Sequence, residues 1–160
     1  MLSEKKGLMK RLSVVSIFVR DQDEALRFYT EKLGLEKRAD RTYGPGMRWL
    51  TVAPKGQKTP EIALARPDAT LHGEEQTNAL LAHIGSGTIW IFDIEDCRET
   101  YRTLLARGVT FLCPPTERSY GIEAIFQDLY GNTFSLLEPS PEVRSRLCAS
   151  ESAHNWLSVA

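Results

Sequence analysis

The sequence feature that most constrains the fold is an internal repeat. An Asp-x-x-Glu motif at 21–24 recurs at 96–99, an offset of 75 residues, and Gly34 recurs as Gly108, an offset of 74. Asp followed three residues later by Glu is typical of a helix start, and Gly is typical of the position after a helix end. The repeat therefore predicts two equivalent capped helices, one in each half of the chain.

A third match extends the repeat beyond the helices. Glu61–Pro67 aligns with Thr133–Pro139 at an offset of 72 residues, preserving a leucine and the final proline. Three matches in the same order along the chain indicate two copies of one supersecondary unit.

The elements predicted within each copy follow the order strand, helix, and three further strands. In the first copy we expect strands near 12–20, 35–41, 47–53 and 61–66, with a helix over 22–33. In the second we expect strands over 88–94, 109–113, 122–127 and 133–138, a helix between Asp96 and Gly108, and a loop beginning at Pro114 and Pro115. β-branched and apolar runs predict the strands, and apolar residues at helical spacing predict the helices.

These elements predict an α+β protein made of two βαβββ modules, at 12–66 and 87–139. A polar linker at 67–86, with a short helix near 77–83, joins them, and a tail at 140–160 follows. We expect the modules to pack about a pseudo-twofold axis, so that a curled mixed sheet surrounds a cavity, which is the default binding site.

Composition excludes several classes of function. The 160 residues carry 20 Lys+Arg against 21 Asp+Glu, a net charge of -1, so no basic field favours nucleic acid or an anionic membrane. No apolar run approaches the roughly 18 residues of a membrane span, and we expect no secretory leader. The three widely spaced cysteines fit a reducing cytoplasm.

Specific motifs accompany the repeat. In the first half they are Val19-Arg20-Asp21, Ala25, Phe28-Tyr29 and Leu33-Gly34; in the second they are Gly121–Ala124, Asp128–Asn132 and Leu136–Pro139. With these motifs the chain resembles the vicinal oxygen chelate superfamily, which includes glyoxalase I, bleomycin-resistance proteins and extradiol dioxygenases. The resemblance covers about 12–139 and implies the paired βαβββ fold and a homodimer. It leaves the function open, because one fold hosts many activities.

The resemblance also implies where a metal would bind. The family's metal enzymes carry ligands on the first and last strands of each half, and the corresponding positions hold Val14, Ala63, Ile89 and Ser135. Three of these side chains have no donor atom, and a serine hydroxyl is a poor ligand for Zn, Ni, Mn or Fe. We therefore expect no metal at the family's site and no cofactor.

The candidate ligand-binding residues are aromatic and polar side chains on the predicted strands, together with Tyr120, which the resemblance places in a loop at the cavity mouth. Strand alternation from Val14 predicts that Ser16 and Phe18 face the cavity, and that Ile91 and Asp93 do so in the second half. Trp90 is then expected in the core, whereas Trp49 fits either setting. The full candidate set is Ser16, Phe18, Arg48, Trp49, Asp93, Tyr120, Glu123 and Ser135.

Five residues need separate consideration. Asp93, on an apolar strand, either pairs with Arg48 or Arg118, is hydrated at a strand end, or contacts a ligand. His72, with Glu74 and Glu75, belongs either to a metal site or to a solvated linker, and His83 caps or packs a short helix. Cys97 begins a helix, where the dipole lowers a thiol pKa. Trp156 lies in a tail whose composition predicts partial disorder, unless it docks on the body or on a partner subunit.

These observations predict a metal-free small-molecule-binding protein of the glyoxalase/bleomycin-resistance type, cytoplasmic and homodimeric, which sequesters an aromatic or amphipathic compound. One alternative is a metal-dependent lyase, isomerase or dioxygenase with non-standard ligands. Another is a regulatory or interaction module with a vestigial cavity. We expect neither a nucleic-acid nor a membrane partner.

Overall fold

A computed structural model describes residues 9–87 and 89–152 of the chain. These residues form two compact units, with the boundary between Ile84 and Gly85. Each unit contains one four-stranded mixed sheet and helices, so the predicted α+β class is confirmed. In the described part of the chain, no helix is both long and apolar enough to cross a membrane.

Unit 1 contains the first βαβββ arrangement. Its elements are β1 (Val14–Phe18), α1 (Gln22–Arg27), β2 (Glu36–Thr42), β3 (Arg48–Ala53), β4 (Glu61–Ala65), α2 (Ala69–His72) and α3 (Glu74–His83). The strands lie in the order β1-β4-β3-β2, with β1 parallel to β4 and the other pairs antiparallel. The linker thus contains more helix than the sequence predicted.

The first helix begins as its capping motif predicts. The Asp21 carboxylate accepts a hydrogen bond from the backbone N–H of Glu24 at 2.8 Å. The predicted helix continues past α1 as a π-helical turn, Phe28–Lys32, in which the Leu33 N–H donates to the Phe28 carbonyl at 3.2 Å. Gly34 then adopts a φ of 75°, which a glycine reaches without steric cost.

One face of the unit 1 sheet packs against this helix. Its buried side chains, on alternate positions of three strands and on the helical segment, are Ile17, Leu50, Val52, Ile62, Leu64, Ala25, Phe28 and Tyr29. Because side chains alternate across a strand, the remaining positions point to the opposite face. We call the opposite face the distal face of unit 1.

Unit 2 repeats the arrangement. Its elements are β5 (Trp90–Asp93), α4 (Cys97–Ala106), β6 (Thr110–Arg118), β7 (Gly121–Gln127), β8 (Thr133–Pro139) and α5 (Pro141–Ser152). The strand order is β5-β8-β7-β6, with β5 parallel to β8 and the other pairs antiparallel. The Asp96 carboxylate accepts from the Glu99 N–H at 2.8 Å, as Asp21 does in the first copy.

An aromatic cluster forms the core between α4 and the unit 2 sheet. Phe126 and Phe134 stack with ring centroids 5.3 Å apart, and Phe92 lies 5.7 Å from Phe134. Tyr101 of α4 meets Phe111 edge-on at 4.6 Å. The face opposite this cluster is the distal face of unit 2.

The prolines at 114 and 115 belong to a strand, which corrects the predicted loop. Both lie within β6, which forms the edge of its sheet and pairs irregularly with β7 on either side of Cys113. Proline lacks the N–H that an interior strand must donate, but an edge strand with bulges accommodates it.

The tail begins with a helix where composition predicted partial disorder. Helix α5 covers Pro141–Ser152. His154 and Trp156 lie outside the described residues, as does Thr88, the predicted first residue of the fifth strand.

Candidate functional site

Strand register defines the distal face of unit 1. Ser16 on β1 and Thr51 on β3 both pair with Ala63 on β4. Phe18 lies two residues beyond Ser16, and Trp49 two residues before Thr51, so the predicted candidates Ser16, Phe18 and Trp49 share this face. Trp49 is 42% exposed, a large apolar surface for a residue on a sheet.

A carboxylate on this face has an internal partner. The Thr51 hydroxyl donates to Glu61 Oε2 at 2.6 Å, and Thr51 Oγ1 accepts from the Ala39 N–H at 3.1 Å. Glu61 pairs in register with Val14, one of the family's metal positions. Sequence reasoning missed Glu61, although its two-residue spacing from Ala63 on the same strand could have placed it on this face.

Arg48 lies on the other side of the sheet. Its guanidinium donates two hydrogen bonds to the Asp40 carboxylate, at 2.8 and 3.0 Å, and one to Asp23 of α1 at 2.8 Å. The hydrogen bonds from Arg48 lower the pKa of Asp40, and the two carboxylates raise the pKa of Arg48. The geometry therefore gives Arg48 a role in joining the sheet to the helix.

Two rows of side chains cross the distal face of unit 2. Ser135 on β8 pairs with Ile91 on β5 and with Ile125 on β7. Two residues further along β8, Leu137 pairs with Asp93 on β5 and with Glu123 on β7. The predicted candidates Asp93, Glu123 and Ser135 therefore lie on one face, around apolar side chains that the candidate set omitted.

The polar groups on this face differ in their partners. Ser135 is only 2% exposed, and its hydroxyl has no hydrogen-bond partner among the described residues. Glu123 accepts a hydrogen bond from the Tyr120 hydroxyl at 3.2 Å, so the predicted candidate Tyr120 joins the edge of the face. Desolvation, together with the charge of Glu123, raises the pKa of Tyr120. Asp93 is exposed, and it has no hydrogen bond or ion pair within the described part of unit 2.

Trp90 and Cys97 lie away from the distal face. Trp90 pairs with Phe134, on the side of the aromatic core, as the alternation predicted. The Cys97 N–H donates to Glu138 at 2.9 Å, and the thiol is buried. Burial first, and then the charge of Glu138, raise the pKa of Cys97 to about 11. The expected lowering by the helix dipole is therefore wrong, because desolvation opposes the thiolate.

The side chains at the family's metal positions do not fit a metal ion. Val14, Ala63 and Ile89 offer no donor atom, and Ser135 offers a single neutral hydroxyl. His72 and His83 are exposed on α2 and α3. Across residues 9–87 and 89–152, no group of three or more His, Cys, Asp or Glu side chains is arranged to hold a metal.

Known proteins resemble this chain over most of its length. The family model of the Glyoxalase/Bleomycin resistance protein/Dioxygenase superfamily matches residues 11–136. The uncharacterized protein YetH of Bacillus subtilis (strain 168) is 36% identical over 131 residues, which cover 82% of this chain and 100% of YetH.

Two solved structures extend the likeness to three dimensions. UcmS2 is 44% identical with a TM-score of 0.75, and the match covers 82% of this chain and 99% of UcmS2. TnmS3, an antibiotic binding protein from Streptomyces sp. CB03234, is 27% identical with a TM-score of 0.67, over 84% of this chain and 100% of TnmS3. From the family match and the identity to YetH, the chain belongs to the Glyoxalase/Bleomycin resistance protein/Dioxygenase superfamily.

Proposed function

We propose that this protein binds a planar aromatic or amphipathic small molecule on a distal sheet face, without metal chemistry at the family's usual site. One observation carries the proposal: donor-free or weakly ligating residues occupy the family's metal positions, yet large apolar side chains beside them remain exposed. Trp49 is 42% exposed and Ile91 is 61% exposed. Exposed apolar side chains on a sheet face supply contact area that a ligand or partner can bury.

The known relatives support a binding role. TnmS3 is an antibiotic binding protein with the same fold at 27% identity. Both histidines among the described residues lie on helices, and Cys97 is buried behind the sheet, so the distal strand faces present neither of these groups. Sequestration needs only shape, apolar area and a few polar anchors.

A thermal-shift screen with tricyclic aromatic compounds tests the proposal. A compound at 100 times its Kd stabilises the folded state by about 2.7 kcal/mol. For a domain of this size, that stabilisation corresponds to a rise in Tm of roughly 5–10 °C. A screen of neutral, cationic and anionic tricyclic compounds in which none raises the Tm or binds in a direct titration would refute the binding role.

Two tryptophan variants locate the binding. Trp49→Ala removes an exposed ring from the distal face of unit 1 and should weaken a ligand bound to that face about tenfold, through lost stacking and apolar contact. Trp90→Phe changes a ring on the core side and should leave the Kd unchanged. Equal Kd values for Trp49→Ala and the unaltered protein would exclude the distal face of unit 1 as the binding surface.

Dimerisation and cytoplasmic residence belong to the same proposal. The family resemblance supports a homodimer, and the wide spacing of the three cysteines supports a reducing compartment. Multi-angle light scattering of the full chain should give twice the mass of 18.0 kDa.

A further inference from the structure

The distal face of unit 2 contains a buried hydroxyl that has no hydrogen-bond partner among the described residues. Ser135 is 2% exposed and its Oγ has no hydrogen-bond partner in residues 9–87 and 89–152. Buried polar groups in native proteins are nearly always paired, because an unpaired one loses its hydration without compensation. Register with Ile91 and Ile125 directs this hydroxyl to the distal face and away from the aromatic core.

A carboxylate that forms no ion pair or hydrogen bond with the described residues lies nearby on the same face. Asp93 is exposed on the neighbouring strand, two residues beyond Ile91, the register partner of Ser135. Strand rise and strand spacing put these two positions about 8 Å apart. A single bicyclic or tricyclic molecule spans that distance.

Apolar side chains surround the two polar groups. Ile91 is 61% exposed, Ile125 is half-buried beside Ser135, and Leu137 is half-buried between Asp93 and Glu123. A flat apolar body fits against such side chains, with one hydrogen-bonding group and one charged group at its edge.

The remaining charges on this face favour a cation. Glu123 carries a second carboxylate, which accepts the Tyr120 hydroxyl. Arg118 lies at the end of the edge strand β6, paired in register with Gly121, and its charge acts on Tyr120. Arg118 therefore offsets the charge of Glu123, whereas Asp93 lies on β5, three strands away. On that side, Arg144 of α5 donates to the Ile94 carbonyl at 3.4 Å and forms no ion pair with Asp93 within the described residues.

We propose that the distal face of unit 2 selects a cationic aromatic or amphipathic ligand, whose protonated nitrogen pairs with Asp93 and whose hydrogen-bonding group meets the Ser135 hydroxyl. This inference rests on the proposed binding function and adds the charge of the ligand and its two anchors. A protonated amine or ring nitrogen gains from the Asp93 carboxylate without having to displace an internal ion pair.

Three tricyclic probes of equal size test the charge preference. They are 9-aminoacridine as the cation, 9-anthracenemethanol as the neutral compound and 9-anthracenecarboxylate as the anion. The expected order of affinity is cation, neutral, anion, and the advantage of the cation should shrink as salt rises from 20 to about 500 mM. Equal affinities, or tighter binding of the anion, would overturn the inference and leave the binding function standing. No binding by any probe would refute the binding function itself.

Two variants test the anchors with a matched control. Asp93→Asn should weaken 9-aminoacridine about five- to tenfold and leave 9-anthracenemethanol unchanged. Glu117→Gln removes the same charge from the helix side of β6, where Glu117 pairs with Arg98 at 3.4 Å, and should leave both affinities unchanged. If the two variants affect 9-aminoacridine equally, the carboxylate at 93 is not an anchor.

The variant Ser135→Ala tests whether the Ser135 hydroxyl anchors the ligand or only stabilises the fold. Removing an unpaired buried hydroxyl should leave the Tm of the free protein unchanged or higher, yet weaken 9-aminoacridine at least threefold. A lower Tm for the free protein, or an unchanged affinity, would overturn the assignment of Ser135.

Discussion

The two units share a fold and differ in what their distal faces leave unsatisfied. In unit 1, the face carries Phe18 and Trp49, and its carboxylate, Glu61, already accepts the Thr51 hydroxyl. In unit 2, the equivalent face carries Ser135 and Asp93 without internal partners in the described residues. The repeat thus preserves the scaffold, while the second copy leaves two polar groups of its distal face without partners among the described residues.

The cores differ as well. Buried aliphatic side chains such as Leu50, Val52 and Leu64 dominate the sheet of unit 1, whereas phenylalanines fill the core of unit 2. An aromatic core concentrates its apolar area in few side chains. Single truncations should therefore affect unit 2 more strongly than unit 1.

The largest expected effect is the loss of Phe126. Its ring is 1% exposed and contacts Phe92, Phe111 and Phe134. Phe126→Ala should lower the free energy of unfolding by about 3–5 kcal/mol, from lost transfer energy and a cavity. Urea denaturation followed by circular dichroism measures the loss.

Two comparisons sharpen this first prediction. Leu50→Ala in unit 1 should lower the free energy of unfolding by about 2–4 kcal/mol, because the aliphatic side chain is smaller. Leu112→Ala, at a side chain that is 56% exposed, should change it by less than about 0.5 kcal/mol. A larger loss for Leu50→Ala than for Phe126→Ala would contradict the difference between the cores.

In unit 1, Arg48 forms ion pairs with both Asp40 and Asp23, and the described part of unit 2 has no equivalent cluster. Breaking this cluster should have the next largest effect on the free energy of unfolding. Asp40→Asn should lower the free energy of unfolding by about 1 kcal/mol at pH 7, since a partly buried charge-assisted pair is lost. The pKa of Asp40 is lowered in the folded state, so its contribution is present above the unfolded pKa near 3.9.

The same linkage sets the pH dependence. As the pH falls below the unfolded value and through the lower folded value, the unaltered protein loses this contribution, and the two proteins should converge. Urea midpoints between pH 7 and pH 2.5 measure the convergence. A difference between the proteins that persists unchanged at pH 2.5 would show that geometry, not charge, explains the loss.

The helix caps test the equivalence of the copies. Asp21→Ala and Asp96→Ala each remove the acceptor of a 2.8 Å bond from the N–H three residues on. Each should lower the free energy of unfolding by about 1 kcal/mol, and the two losses should agree within about 0.5 kcal/mol. If only one of the two substitutions lowers the free energy of unfolding, the two helix starts are not equivalent. Asp→Asn at the same positions is the control, since Asn retains the acceptor.

The scaffold was predictable because its signals are local. Asp21 and Asp96 form the predicted caps, and strand alternation correctly separated Trp90 from Asp93. The errors arose where tertiary context overrides local preference. Pro114 predicts a loop on composition, and only the position of β6 at a sheet edge makes it a strand residue.

The candidate site was less predictable for the same reason. Arg48 resembles a cavity anchor in sequence, but Asp40 and Asp23 hold it on the helix side, and those partners are 8 and 25 residues away. Cys97 has the sequence context of a lowered thiol pKa, yet burial beside Glu138 raises it. Long-range partners and desolvation determine both outcomes, and neither is written in a local pattern.

The smallest effect on the free energy of unfolding is expected for a substitution that gives unit 2 a residue of unit 1. Ser135 aligns with Ala63 at the repeat offset of 72, so Ser135→Ala gives unit 2 the side chain that unit 1 already has. Because the hydroxyl is buried and unpaired, the free energy of unfolding should stay within about 0.5 kcal/mol or rise by up to about 1 kcal/mol. Ser16→Ala, at an exposed serine of unit 1, serves as control and should change nothing. A loss above 1 kcal/mol on Ser135→Ala alone would mean that the hydroxyl has a stabilising partner in solution. In that case the distal face of unit 2 would be as well paired at Ser135 as the distal face of unit 1 is at Glu61, and the contrast between the two faces would be wrong.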